Sequence, residues 1–126
     1  MKSWGVLWLG LGVALVWPLT SQGTTRYVAP GGNHTTPFTN WVTAATNIQA
    51  AIDVSSAGDL VWVTNGTYQT GGRVASGSAT TNRVVIDKAI TVRSENGPVV
   101  TMIRGAFQPG GTNGNEAIRC VWMTNN

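Results

Sequence analysis

The sequence predicts a mostly-β fold that carries one short amphipathic helix. Short runs rich in β-branched residues recur along the chain, and Gly, Asn, Asp or Pro bounds each run. The composition agrees, because charged residues make up 10% of the 126 residues, hydrophobic residues make up 42%, and there are 16 glycines. An average domain has about 25% charged residues. Low charge combined with many aliphatic residues excludes a disordered chain.

The first 23 residues have the pattern of a signal peptide. A basic residue precedes an uncharged run over 6–17, and Pro18 ends that run. The run is shorter than the roughly 20 residues that a membrane-spanning helix needs. We therefore predict a signal peptide over 1–23, cleaved after Gly23, and one domain over 24–126. Cleavage would leave no membrane span and make the protein secreted, extracellular or surface-bound; an uncleaved membrane anchor is the alternative.

One helix is predicted around the stretch "TNIQAAIDVSSAG". Thr46 and Gln49 have the spacing of a capping box, which predicts Thr46 as the N-cap. Gly58 follows the last turn, where glycine favours a left-handed cap, and the helix could extend back to Trp41. The residues on its apolar face are Ile48, Ala51, Ile52 and Ser55. Such a short helix is unstable alone in water, so it must pack on an apolar surface.

Strand-forming runs fill most of the remaining chain. The predicted strands are 26–29, 59–64, 83–87, 90–94, 99–105 and 117–123, with a turn at 65–66 ending the second. No second amphipathic helix separates these runs, which disfavours a doubly wound α/β sheet. Two designs remain open: antiparallel strands in a sandwich or barrel, or parallel strands coiled into a solenoid.

The motifs "YVAPGGN", "ATNIQAAIDVSSAGDLVWVTNGTY", "ITVRSENG" and "VTMIRG" together resemble the start of secreted right-handed parallel β-helix proteins. These form the pectin-lyase-like group, and many come from environmental bacteria. The resemblance covers most of 26–123. It implies a right-handed parallel β-helix, seen as an N-terminal cap helix and the first coils. The chain stops soon after a strand without a second cap, so we expect the solenoid to be incomplete at its C-terminus, with the remaining coils of a longer chain as its partner.

Few residues suggest catalysis or metal binding. The acids of the mature chain are Asp53, Asp59, Asp87, Glu95 and Glu116. None forms an obvious pair in sequence, although glycoside hydrolysis needs two carboxylates facing one bond. One histidine, His34, and one cysteine, Cys120, argue against a protein-only zinc site, and we expect Cys120 to be buried in its apolar run. We predict no catalytic, cofactor-binding or metal-binding residue, while the resemblance allows calcium in a full-length protein.

Four residues are candidates for contact with carbohydrate: Trp62, Trp122, Arg93 and Arg104. Strand alternation places Val61 and Val63 inward and Trp62 outward, where its indole could stack on a sugar ring. Packing under a loop is the commoner use of such a tryptophan, and a solvated strand face is the commoner setting of such arginines. The six arginines and two lysines are scattered, so no nucleic-acid partner is expected.

The sequence therefore predicts a secreted or cell-surface β-helix segment. It would be structural or carbohydrate-contacting and would have no complete active site of its own. The alternative is the N-terminal part of a polysaccharide lyase or glycoside hydrolase that acts on acidic polysaccharide. Whether a full-length protein would be an enzyme stays open, and for these residues we predict none. The sequence does not indicate a particular sugar.

Overall fold

The computed structural model describes residues 22–124, which form strands and one short helix. In chain order the elements are β1 (Thr25–Val28), α1 (Ile48–Asp53), β2 (Leu60–Val63), β3 (Gly66–Tyr68), β4 (Arg73–Val74), β5 (Thr81–Ile86), β6 (Thr91–Ser94), β7 (Thr101–Ile103) and β8 (Arg119–Met123). The mostly-β prediction is confirmed. The predicted signal peptide, apart from its last two residues, lies outside the described residues.

The strands form three small sheets. The first has the order β1-β2-β6, the second pairs β3 with β7, and the third has the order β4-β5-β8. Every pairing is parallel except that of β4 with β5, which is antiparallel. The chain therefore visits the three sheets in turn through β2, β3 and β5, and then again in the same order through β6, β7 and β8.

Six of the observed strands, β1, β2 and β5 to β8, lie within or close to the predicted runs, but most of them are shorter. β7 covers only the centre of the predicted run 99–105, because Val99 precedes the strand in a turn and is 94% exposed. The sequence also predicted a turn at 65–66, whereas Gly66 opens the unpredicted strand β3. Its amide donates to the carbonyl of Val100 at 2.9 Å, which extends the pairing with β7. Strand β4, two residues long, was not predicted either.

Helix α1 starts later than predicted and has a different cap. Asn47 is the N-cap, and its Oδ1 accepts from the amide of Ala50 at 2.9 Å. The predicted cap, Thr46, is wrong, because its hydroxyl lies 2.9 Å from Nδ1 of His34. The predicted extension to Trp41 is also wrong, since residues 41–43 form a turn that is not helical.

The two remaining predictions about the helix ends need correction as well. Gln49 does not reach back to the cap; its Oε1 accepts from the amide of Val85 at 2.6 Å and ties the helix to β5. Gly58 does not cap α1, which ends at Asp53. Gly58 has a φ of 90° and belongs to a separate turn, where its amide donates to the carbonyl of Ala89 at 2.7 Å. A left-handed backbone there favours glycine.

The core lies between helix α1 and the three sheets. The predicted apolar face of the helix is confirmed, since Ile48, Ala51 and Ile52 are all buried. The strand side of this core consists of Val28, Val61, Val63, Tyr68 and Val84. Burying one isoleucine stabilises a fold by roughly 1.5–3 kcal/mol, so this helix face contributes substantially to a domain of this size.

Two polar contacts close the C-terminal end of α1. The hydroxyl of Ser55, which is buried as predicted, donates to the carbonyl of Ala51 at 2.7 Å. The ammonium of Lys88 donates to the carbonyls of Ile52 at 3.0 Å and Ser55 at 2.9 Å. A cation beside the last carbonyls of a helix also interacts favourably with the helix dipole. Within residues 22–124, no helix is long and apolar enough to cross a membrane.

Candidate functional site

The outer surface of the first sheet carries a row of large side chains. In the strand register, Tyr27 of β1 lies beside Trp62 of β2, and Trp62 lies beside Arg93 of β6. Neighbouring strands are about 4.8 Å apart, and residues in register point to the same side of a sheet. The three side chains therefore cross the sheet as one continuous row.

Direct contacts are found at both ends of this row, and one of them extends it by one ring. The guanidinium carbon of Arg93 lies 5.3 Å from the centre of the Trp62 ring, within cation–π range. On the other side, the rings of Tyr27 and Trp41 meet edge to face, with 4.6 Å between their centres. We call the surface formed by Trp41, Tyr27, Trp62 and Arg93 the aromatic face. Trp41 is 40% exposed and Arg93 is exposed, so both ends of the face contact solvent.

Strand alternation sets the direction of these side chains. Val28, Val61 and Val63 are buried on the inner side of the sheet, so their neighbours Tyr27 and Trp62 point outward. This confirms the predicted orientation of Trp62. Tyr27 and Trp62 are both half-buried.

A loop bonded to β1 holds Trp41 beside Tyr27. The amide of Tyr27 donates to the carbonyl of Phe38 at 2.7 Å, and the amide of Ala45 donates to the carbonyl of Tyr27 at 2.9 Å. At the tip of the loop, the amide of Thr43 donates to Oδ1 of Asn40 at 2.9 Å. These bonds fix the backbone on both sides of Trp41, so its ring is positioned by the loop and not by a strand.

Arg93 supplies the positive charge of the aromatic face. Among residues 22–124, the ion pairs found join Arg26 to Asp59 and Arg73 to Asp53 and Asp87, and none includes Arg93. A guanidinium carries five N–H donors in one plane. Stacked on Trp62, it can present those donors to hydroxyl or carboxylate oxygens of a molecule lying on the adjacent rings.

The structure brings together two of the four predicted contact residues. Trp62 and Arg93 are neighbours, whereas Trp122 lies on β8, in register with the buried Val85 of the third sheet. Trp122 is half-buried there. Arg104 follows β7 and lines a separate cleft of about 520 Å³. Trp122 and Arg104 are therefore not part of the aromatic face.

Two members of the aromatic face, Tyr27 and Trp41, were not predicted from the sequence. For Tyr27 a signal existed, because it directly precedes Val28 in a run of alternating strand residues. Had Val28 been assigned to the core, Tyr27 would have pointed outward beside the next strand. Trp41 had no comparable signal, since its position depends on a loop whose path no periodic pattern determines.

Sequence-distant acids do meet in the structure, at the C-terminal end of α1. The guanidinium of Arg73 lies between Asp53, at 3.8 Å, and Asp87, at 2.5 Å. Oδ1 of Asp53 also accepts from the side-chain Nε2 of Gln49 at 2.7 Å. The one cation lies between the two carboxylates, which makes the group a structural tie between the helix and the strand pair β4–β5.

Two further sequence predictions concern metal and thiol chemistry. In the part of the chain that the structure describes, no three His, Cys, Asp or Glu side chains cluster in a way that could hold a metal ion. The predicted burial of Cys120 is wrong: its side chain is exposed on β8, a strand with no further strand on its outer side among the described residues. Without such a neighbour, the apolar run around Cys120 stays partly open to solvent.

Comparison of the chain with family models, with curated proteins and with solved structures finds no match. The sequence pattern and the geometry of the aromatic face therefore carry the functional argument.

Proposed function

We propose that this protein is a secreted or cell-surface module that contacts carbohydrate through the aromatic face. The observation that carries the proposal is the in-register row of Tyr27, Trp62 and Arg93, continued by the ring of Trp41. In this proposal the module has no complete active site of its own and acts as a structural or attachment segment.

The chemistry of a sugar chain fits such a surface. Pyranose rings have flat C–H faces that pack on indole and phenol rings, while their hydroxyl groups need hydrogen-bond donors nearby. Aromatic side chains offer large contact area with few rotatable bonds, so little conformational entropy is lost on binding. Arg93, held on Trp62 at 5.3 Å, supplies donors at one end of the row.

We further propose that the three sheets are the faces formed by the first coils of a right-handed parallel β-helix, with α1 as its cap. Support comes from the order of the strands, because β2, β3 and β5 are followed by β6, β7 and β8 in the same three sheets. Paired positions include Leu60 with Thr91 and Gly66 with Thr101. Their separation along the sequence falls within the repeat length of roughly 20–45 residues that is typical of repeat proteins. Helix α1 packs its apolar face on the core of these strands.

A retention experiment tests the carbohydrate proposal. The purified chain is passed over a panel of insoluble and immobilised plant and microbial polysaccharides, and the bound fraction is measured for wild type, Tyr27→Ala, Trp62→Ala and Arg93→Ala. Each ring removed should weaken binding about twofold to tenfold, as expected for an aromatic contact of about 0.5–1.5 kcal/mol. Phe107→Ala is the matched control, since Phe107 is 66% exposed and lies outside the aromatic face. Equal retention of all variants, with unchanged melting temperatures, would contradict the proposal.

The same sample separates this proposal from the enzyme alternative. Incubation with polygalacturonate and calcium, followed by absorbance of unsaturated products, reports lyase activity. We expect no product from this chain. Product formation above a heat-denatured control would favour the leading part of a polysaccharide lyase instead.

A further inference from the structure

A second candidate binding site lies beside β7, away from the aromatic face. The chain leaves β7 and forms a loop whose ends are joined by an antiparallel bridge between Ala106 and Ile118. The amide of Ala106 donates to the carbonyl of Ile118 at 2.8 Å, and the amide of Ile118 donates back at 2.7 Å. Within the loop, the side-chain amide of Gln108 donates to the hydroxyl of Thr112 at 3.0 Å. The loop is therefore internally bonded and holds a defined shape.

At the base of this loop lies an open cleft of about 520 Å³. Its lining residues are Arg104, Gly105, Ala106, Phe107, Asn113 and Ile118, and we call it the Arg104 cleft. The volume lies in the roughly 300–1,000 Å³ range of small-molecule sites. At Gly105 the absence of a side chain is required, because a Cβ would lie 2.2 Å from the carbonyl oxygen of Ile118. This close approach brings the two walls of the cleft together.

The backbone of Arg104 is fixed on both sides. Its amide donates to the carbonyl of Tyr68 at 2.9 Å, and its carbonyl accepts from Nε of Arg83 at 2.9 Å. Arg83 also donates to the carbonyl of Gly71 at 2.6 Å. Since Arg83 bonds to carbonyl oxygens and to no acid among the described residues, its positive charge is not neutralised and adds to that of Arg104.

The surroundings of the cleft are positively charged. Arg119 lines a smaller adjoining hollow of about 340 Å³, and no ion pair within residues 22–124 includes Arg83, Arg104 or Arg119. The acid of the loop, Glu116, is exposed and lines neither the cleft nor the hollow. Charge complementarity therefore favours an anionic ligand.

The apolar part of the cleft lining indicates which class of anionic ligand would bind there. Phe107 is 66% exposed and lies in the cleft beside Ala106 and Ile118. An aromatic ring packed on Phe107 would remove this surface from water. A guanidinium binds a carboxylate through two parallel N–H···O bonds. The amide of Asn113 can bond a hydroxyl group on the ring.

We propose that the Arg104 cleft binds a small planar aromatic carboxylate of the hydroxybenzoate type, with the carboxylate on Arg104 and the ring on Phe107. The ring of Phe107 provides a flat apolar contact, which favours an aromatic ligand over a sugar acid. This site is separate from the aromatic face and does not depend on the carbohydrate proposal.

Titration of the isotope-labelled full chain with 4-hydroxybenzoate, followed by amide chemical shifts, tests the proposal. Saturable shifts should be confined to residues 104–118. Phenol, which lacks the carboxylate, and cyclohexanecarboxylate, which lacks the flat ring, should each bind at least about tenfold more weakly. Glucuronate binding as tightly as 4-hydroxybenzoate would overturn the aromatic assignment, and shifts centred elsewhere would overturn the site.

Substitutions at Arg104 and Phe107 test separately the proposed contacts with the carboxylate and with the ring. Arg104→Ala should weaken 4-hydroxybenzoate binding at least about tenfold, and Arg104→Lys, which keeps the charge without the planar fork, should retain part of it. Phe107→Ala should weaken binding about threefold to tenfold. Val99→Ala is the control, because it truncates an exposed side chain that lines neither the cleft nor the aromatic face, and it should leave the affinity unchanged. Wild-type affinity in Arg104→Ala, with its spectrum still that of the folded chain, would refute the proposal.

Discussion

Asp59 and Arg26 form a buried ion pair that ties the first strand to the turn before β2. Oδ2 of Asp59 lies 3.3 Å from both Nε and Nη2 of Arg26. The same carboxylate accepts from the amide of Thr24 at 2.7 Å and from the amide of Ser56 at 3.0 Å. The side chain of Asp59 is only 5% exposed and that of Arg26 is 13% exposed. One carboxylate therefore joins two segments of the chain, the start of β1 and the turn before β2.

This environment predicts acid sensitivity. Burial by itself raises the pKa of Asp59, but the amides of Ser56 and Thr24 and the guanidinium of Arg26 outweigh it, so the pKa falls below its ordinary value of 3.8. Because the folded state holds the proton less tightly than the unfolded state, the stabilisation is present above about pH 3.8 and is lost as pH falls through the folded pKa. Asp59→Asn should lower the unfolding free energy at pH 7 by roughly 1–3 kcal/mol.

Chemical denaturation at several pH values checks this prediction. Wild type should lose stability progressively below about pH 4, while Asp59→Asn should lose less over the same range. Glu116→Gln, at an exposed acid, is the control and should follow wild type. An Asp59→Asn protein with the acid slope of wild type would show that other groups cause the acid sensitivity.

The environment of Tyr68 predicts a second pH effect, which is a loss of folding stability at alkaline pH. Its hydroxyl donates to the carbonyls of Thr64 at 2.8 Å and Val28 at 3.3 Å, and burial raises the pKa of Tyr68 to about 12 from 10.0. The phenol is neutral in both states below pH 10, so its contribution is fully present there and is lost as pH rises toward 12. Stability should fall over this window by about 1.4 kcal/mol for each pKa unit.

Tyr68→Phe separates this effect from other alkaline titrations. The variant should be less stable at pH 7 by about 1 kcal/mol, because the carbonyl of Thr64 loses its buried hydrogen-bond donor. Its stability should depend less on pH above about 10 than that of wild type. Tyr27→Phe, on the outer side of the first sheet, is the control. The same alkaline decline in wild type and Tyr68→Phe would refute the assignment.

Periodicity predicted the parts of the fold that bury apolar side chains. The helix face of Ile48, Ala51 and Ile52 and the inward Val61 and Val63 are all buried as expected. These residues follow regular spacings of 3.6 and 2, which the hydrophobic effect enforces wherever an element packs on a core. The resemblance to a parallel solenoid rests on the same segments and stays a proposal.

Polar contacts between distant segments were beyond prediction. Gln49 has the right spacing for a capping box with Thr46, yet it bonds the amide of Val85, 36 residues away. Local patterns cannot show which of two available donors a side chain chooses, because both bonds have similar energies and tertiary geometry decides between them. The pairing of Trp62 with Arg93 could be expected only once the strand register was known.

Substitutions at two neighbouring residues, Thr46 and Asn47, test which of them caps helix α1. Asn47→Ala removes the acceptor for the amide of Ala50 and should lower the unfolding free energy by about 0.5–2 kcal/mol. Thr46→Ala should cost less, since Thr46 contacts His34 and no helix amide. Melting temperatures of both variants, measured under one set of conditions, check the order. A larger loss in Thr46→Ala would favour the capping box.

Ile52 tests whether helix α1 is essential to the core. It is fully buried against the strands, in a cluster that includes Val28, Val61 and Val84. Ile52→Ala should lower the unfolding free energy by about 2–5 kcal/mol, because it leaves a cavity between helix and sheets. Ile52→Asp should unfold or aggregate the chain, since it buries an unpaired charge in the same place.

The control for these variants is Val99→Asp, at a valine that is 94% exposed, and it should melt like wild type. Thermal unfolding followed by circular dichroism, with light scattering to detect aggregates, measures all three proteins. If Ile52→Asp kept the melting temperature and solubility of wild type, the helix would not cover the core. The strands would then have to be stable without helix α1. Their inner valines would be exposed to water on the side where α1 packs in this structure.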